Sequence, residues 1–274
     1  VDQLRQQRPC YLKALPEYLQ TLAEHLEQTG ERPPKIDVVK PMGALMTSTM
    51  KQKVERAFGT AIREDYGCNE LGPMAFDCRF RNGLHLLQDQ YYFEFVRNGR
   101  PAADGELAVV LITDLHNRAM PLIRYRIGDL ARVDRRPCPC GRTTPRITLE
   151  GRIQDTIVTS AGRVLTPRMV YEFFYSRPQI SQFQLTERTA HRFDLSYVSR
   201  HDAAVDEPLL AEGFRQFSGD DRRMTIRRVA SLLPESSGKF RHVKSCSYEQ
   251  LDAALACDST TGDSLRLASP ADSN

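Results

Sequence analysis

From Leu84 to Thr113 the chain reads almost entirely as β-strand. The runs LHLLQ, YYFEFV and ELAVVLIT are rich in aromatic and β-branched residues, and Asn98-Gly99 and Asp104-Gly105 punctuate them. Both dipeptides favour tight reversals, so the stretch predicts a mostly antiparallel sheet. Before it, apolar residues at Tyr11, Leu12, Leu15, Leu19, Leu22 and Leu26 follow the three-four spacing of one helix face, which predicts an amphipathic helix from Tyr11 to Leu26. A strand over Ile36–Val39 follows, then a helix over Thr49–Phe58 that Gly59 stops. Near Gly151 the pattern changes to strand (IVTS), helix (MVYEFFYS), two strands around Phe183 and Leu195, helix (LLAEGFRQF) and strand (TIRRVA). The expected fold class is α/β and α+β. A first unit covers residues 1–151, a smaller α+β unit covers 152–250, and a disordered tail covers 251–274.

Charge names no partner. The chain has 38 Lys plus Arg against 35 Asp plus Glu, a formal net charge of +3, too small for the electrostatic footprint of a nucleic-acid binder. No signal-peptide-like apolar stretch opens the sequence and no long apolar run interrupts it, so a cytoplasmic protein, with no membrane partner, is expected. Seven cysteines, an odd number without a secretory signal, point to free thiols or a metal site over a disulfide framework.

Four short motifs stand in order: Tyr66-Gly67-Cys68-Asn69-Glu70, the decapeptide from Pro121 to Leu130 (PLIRYRIGDL), Gly151-Arg152-Ile153-Gln154-Asp155, and Pro234 to Arg241 (PESSGKFR). Each alone reads as ordinary turn or loop. A carboxylate such as Glu70 is a natural oxygen ligand for Mg²⁺ beside phosphates, and an aromatic face suits a planar base. The carboxylate of Asp129 can accept from two hydroxyls at once. In this order the motifs resemble those of the phenylacetate-CoA ligase branch of the acyl-adenylate-forming (AMP-binding) enzymes, from about Leu12 to Val243. The decapeptide is similar to the family's PLIRYRTGDL at all but one position.

The resemblance implies the C-terminal part of the family's large domain, with a mixed sheet and an antiparallel β region, followed by its small α+β domain. It implies that Tyr66 stacks on adenine and Glu70 holds magnesium, while Gly67 and Asn69 line the nucleotide. Asp129 would hold the ribose hydroxyls, and Arg152 would lie near the ribose or phosphates. Gln154 would be the pivot of a domain rotation, and Gly162 would lie near an incoming pantetheine arm. Lys239 would neutralise charge on the α-phosphate during adenylation. Gly43 and Ala44 would line the adenine from the preceding loop.

Cys78 and His85 in FDCRFRNGLH, with Cys138 and Cys140 in RPCPCGR, supply the Cys₃His set of a tetrahedral structural zinc site. The two halves lie far apart and meet only if the sheet between them folds back. Some members of the family carry the same pattern.

The sequence also departs from the family. It contains no glycine- and Ser/Thr-rich phosphate loop, and Asn69, Ile127 and Gln154 replace Ser or Thr, Thr, and Asp. Two functions are therefore expected in competition. One is ATP-dependent activation of an aromatic or other carboxylic acid as an acyl-adenylate, then transfer to CoA or a phosphopantetheine carrier thiol, completed by a separate N-terminal segment. The alternative is a non-catalytic module that binds AMP or an acyl-adenylate.

Overall fold

Pro16 decides where the first long helix starts. A proline at the first helical position lacks only an amide hydrogen that would go unbonded there. In the computed structural model, which describes residues 1–189, 192–236 and 238–257, a short α1 (Asp2–Gln7) precedes α2 (Pro16–Thr29), which begins on that proline. The helix expected from Tyr11 is thus shorter. Tyr11–Ala14 is instead strand β1, paired in parallel with β2 (Val38–Pro41). The side chains of Tyr11 and Leu12 happened to be in phase with the helix, and a parallel partner across α2 leaves no local signal. Next, α3 (Ser48–Phe58) is capped by Thr47, whose hydroxyl accepts from the Met50 amide at 3.1 Å, and ends at Gly59 with positive φ.

Eight strands then form one sheet: β3 (Asp65–Cys68), β4 (Gly72–Asp77), β5 (Leu84–Leu86), β6 (Tyr91–Arg97), β7 (Arg100–Pro101), β8 (Leu107–Asp114), β9 (Tyr125–Asp134) and β10 (Arg146–Arg152). Their spatial order is β3-β4-β5-β10-β9-β8-β6-β7, and every neighbouring pair is antiparallel. The pairing of β5 with β10 folds the sheet back on itself, with His85 opposite Arg146.

After β10 come the hairpin β11 (Ile157–Val158) and β12 (Val164–Leu165), α4 (Pro167–Tyr175), β13 (Ile180–Thr189), β14 (Arg192–Ser199), α5 (Glu207–Ser218), β15 (Arg223–Arg228), β16 (Val243–Lys244) and α6 (Leu251–Cys257). The second large sheet runs β15-β14-β13-β16. The tail expected over 251–274 needs correcting at its start. Leu251, Ala254 and Leu255 of α6 are buried against Leu107, Val109 and Leu130 of the eight-stranded sheet, a three-four spacing hidden inside a polar stretch. Residues 258–274 lie outside the described ones.

One apolar cluster joins Leu19, Ala23 and Met50 of α2 and α3 to Phe174, Phe183 and Val243 of the C-terminal region. Another, including Tyr66, Ala131 and Ile147, fills one side of the eight-stranded sheet. Among the described residues no helix is long and apolar enough to cross a membrane.

Candidate functional site

Strand register brings together the residues expected to form the nucleotide site. Arg152, the last residue of β10, stands opposite Asp129 of β9. Its Nε lies 3.1 Å from Asp129 Oδ1, and its NH1 donates to the Ile127 carbonyl at 2.9 Å. From β3, the Tyr66 hydroxyl donates to Asp129 Oδ2 at 2.7 Å. Burial raises the Asp129 carboxyl above its ordinary value, opposed by the positive charges of Arg152 and Lys239 and by the Tyr66 hydrogen bond. Burial, then the charge of Asp129, pushes the Tyr66 hydroxyl far up as well. Asp129 thus sits as an acceptor-only group with both oxygens already engaged by donors, in the middle of β9 beside Gly128, which has positive φ.

Glycine is required at two of these positions. A Cβ on Gly67 would lie 2.5 Å from the Gly72 carbonyl oxygen across the β3–β4 pair, and one on Gly151 would lie 2.5 Å from Pro167 Cβ. Gly151 closes the register shift after Leu149 in β10, one residue before the strand ends at Arg152.

Lys239 reaches the same place from the C-terminal region. Its Cε is 3.8 Å from the position of a Cβ built on Gly43, in the exposed loop after β2, and its charge is felt at Asp129. Ala44 follows in that loop, half-buried. Glu70 and Asn69 are exposed in the β3–β4 turn. Hydrogen bonds from the Glu70 backbone amide and the Cys68 thiol hold the Glu70 carboxyl below its ordinary value.

Gln154 is exposed in a single 3₁₀ turn over Ile153–Asp155. Gly162 lies at the tip of the β11–β12 hairpin, bonded to the Thr159 carbonyl, and its hydrogen bonding is local. Ile127 is buried in the apolar side of the sheet, where a threonine hydroxyl would have needed a partner.

Two further residues belong to this machinery. Arg241 Nε donates to Asp155 Oδ1 at 2.5 Å, and its NH2 donates to the Gln154 carbonyl at 3.0 Å. These contacts tie the Lys239 loop to the residues just after Arg152. Both were visible in their motifs, but nothing in the sequence paired them.

The Cys78, His85, Cys138 and Cys140 set is assembled as the fold-back requires. Cys78 follows β4, His85 lies on β5 and the other two lie in the β9–β10 loop; the four ligand atoms lie within 4.8 Å of one another. The Cys78 and Cys138 sulfurs are 3.8 Å apart, and Cys140 Sγ is 3.4 Å from His85 Nε2. A tetrahedral zinc site, with Zn–S of about 2.3 Å and Zn–N of about 2.0–2.1 Å, has S···S edges of about 3.8 Å and S···N edges of about 3.6 Å. The donor set fits the metal. Nδ1 of His85 faces the Thr144 carbonyl at 3.3 Å and hydroxyl at 3.2 Å, the outer contact that fixes a ligating tautomer.

No family model matches the chain. It is 29% identical to the phenylacetate-coenzyme A ligase of Thermus thermophilus over 243 residues, covering 85% of this chain and 54% of that protein. It is 30% identical to the Escherichia coli phenylacetate-coenzyme A ligase over 202 residues, 70% of this chain and 46% of the relative. Among solved structures, a 2-hydroxyisobutyryl-CoA ligase in the postadenylation state, in complex with 2-HIB-AMP, superposes with a TM-score of 0.74 at 19% identity. That match covers 93% of this chain and 59% of the other. The chain is phenylacetate-CoA ligase-like, with the fold of the acyl-adenylate-forming ligases, and spans about half the length of the curated relatives it matches.

Proposed function

We propose that this chain supplies the nucleotide half-site and the mobile lysine of an acid-thiol ligase. In this reading a carboxylate oxygen attacks the α-phosphorus of ATP, the bond to the bridging oxygen breaks, and pyrophosphate leaves. Asp129 holds the ribose, Tyr66 and the Gly43-Ala44 loop flank the adenine, and Lys239 with Arg152 offsets charge on the α-phosphoryl oxygens. Magnesium held by Glu70 would neutralise the departing phosphates. The acyl group then passes to CoA or a carrier thiol, and a segment outside these residues cradles the β- and γ-phosphates. Residues 1–151 and 152–250 act as two units that rotate about Gln154, with Gly162 beside the thiol arm. Cys78, His85, Cys138 and Cys140 hold one structural zinc, and the setting is cytoplasmic.

The observation that carries this reading is the meeting of Asp129, Arg152, Tyr66, Gly43 and Lys239 from five separate segments. ATP–pyrophosphate exchange, measured after the family's phosphate-loop segment is supplied covalently or as a second polypeptide, tests it. Exchange that depends on the acid is expected, and its absence in a folded, AMP-binding complex overturns the catalytic reading. The buried Ile127 in place of a hydroxyl favours a second reading, a module that binds AMP without chemistry, and the same absence would support it.

A further inference from the structure

The contact between α2 and the C-terminal region is a polar seam with an unusual defect. Lys53 of α3 and Arg200 donate to Glu24 Oε1 at 2.6 and 3.0 Å, Ser181 Oγ donates to Glu24 Oε2 at 3.0 Å, and Gln20 Nε2 reaches the Ser181 carbonyl at 3.1 Å. Beside these satisfied groups, several buried polar atoms have no hydrogen-bond partner: both carboxylate oxygens of Glu17, Gln20 Oε1, Arg200 Nε and His242 Nδ1. Such atoms are rare in folded proteins and costly to keep dry. These five atoms belong to α2 and to the C-terminal residues that α2 packs against.

Glu17 lies on the first turn of α2, and its Oε1 is 3.7 Å from Nδ1 of His242. On the ring's other side, Nε2 is 2.6 Å from the Tyr175 hydroxyl, and Tyr171 packs on the imidazole with ring centroids 4.6 Å apart. His242 immediately follows Arg241 in the segment that carries Lys239. The titratable groups packed on the ring are Tyr171 and Tyr175 from α4; Tyr171 also feels the charges of Asp155, Glu17 and Arg241, and Tyr175 those of Glu17, Glu24 and Arg200.

Glu17 precedes Gln154 in the chain, whereas His242 follows it. Any rotation about Gln154 must therefore shear this seam. Glu17, buried and without a protein partner, is a group that parting would expose to solvent, so its ionisation favours the parted form.

We propose that the α2 face is a parting plane, latched while the buried Glu17 carboxyl, which has no hydrogen-bond partner, keeps its proton, and that its opening frees the segment bearing Lys239. The purpose of the latch rests on the adenylation reading; the latch itself does not. At 3.7 Å from Nδ1 the carboxyl is not bonded to the imidazole, and while it keeps its proton it is neutral. Once ionised, it is a buried carboxylate with no group at hydrogen-bonding distance, which disfavours the closed form. Burial raises Glu17 to about 7 and lowers His242 to about 3. Deprotonating Glu17 therefore favours opening as pH rises, while neutralising His242 opposes it.

Hydrogen exchange of the full chain, corrected for intrinsic rates, separates these effects. Protection of the segments spanning 16–26 and 239–244 in the parent, divided by that in Glu17→Gln, should fall about tenfold between pH 6 and pH 8. Lys53→Met, which breaks the Glu24 pair alone, should lower protection while leaving the parent's pH profile unchanged. A ratio independent of pH, or exchange in which all segments open together, would overturn the proposal. Titration with AMP on the same proteins keeps the two failures apart, because the latch can hold in a chain that binds no nucleotide.

Discussion

The eight-stranded sheet and the α2 seam solve opposite problems. In the sheet, distant residues are locked by register: Arg152 meets Asp129 because β10 pairs with β9, and His85 meets Cys140 because β5 pairs with β10. Their polar atoms have partners at bonding distance. Across the seam, Glu17, Gln20, Arg200 and His242 leave buried atoms unpaired. Register in the sheet gathers the candidate binding and metal groups, whereas the seam is the contact that we propose can part. The sheet has orphaned atoms of its own, Asp77 Oδ2 and Arg146 Nε, so what distinguishes the seam is that Glu17 and His242 face each other from segments before and after Gln154.

The largest expected effect lies in the rigid part. Replacing Cys138 and Cys140 by Ser should abolish one bound zinc per chain, removing metal-binding free energy on the order of 10 kcal/mol that is coupled to folding. Elemental analysis with thermal unfolding reads this. Zinc retained by the double variant would remove the cluster from the account.

Next comes Lys239→Ala in the completed protein. Acyl-adenylate formation should fall by about 10²–10³-fold, roughly 3–4 kcal/mol by analogy with other charge-stabilising donors. Transfer from a supplied acyl-adenylate to the thiol should persist. Equal losses in both half-reactions would mean that Lys239 supports structure and not the first step.

A comparable change is expected in the moving part, but only over a pH window. Because the folded value of Glu17 is raised from 4.5 to about 7, its contribution is complete below about 4.5 and is lost as pH rises through 7. His242, lowered from 6.5 to about 3, acts oppositely: its contribution is present above 6.5 and is lost as pH falls toward 3. Glu17→Gln should therefore stabilise the chain at pH 8 by about 3 kcal/mol relative to its effect at pH 4. Denaturant titrations at the two pH values check the sign.

Much of this was readable in the sequence where the signal was local. Asn98-Gly99 announced a reversal that the β6–β7 pair makes, and Gly59 stopped α3. The Cys78-to-Cys140 set and Asp129 were found through motif pattern. What escaped was non-local: β1 needs β2, α6 needs the sheet beneath it, and Glu17 meets His242 only because both sides of the hinge fold against each other. Helical spacing in Tyr11 and Leu12 was overruled by pairing, and no spacing rule connects Arg241 to Asp155.

The central claim is that Asp129, Tyr66 and Arg152 form a nucleotide cleft, and calorimetric titration of the chain with AMP tests it most directly. The account predicts saturable binding by the parent, an affinity lower by about 10–100-fold in Asp129→Ala, as for loss of hydrogen bonds to a charged acceptor at roughly 1.5–3 kcal/mol, and no change in the exposed Lys35→Ala. Absence of binding in the folded parent, or equal affinity in Asp129→Ala, would contradict it.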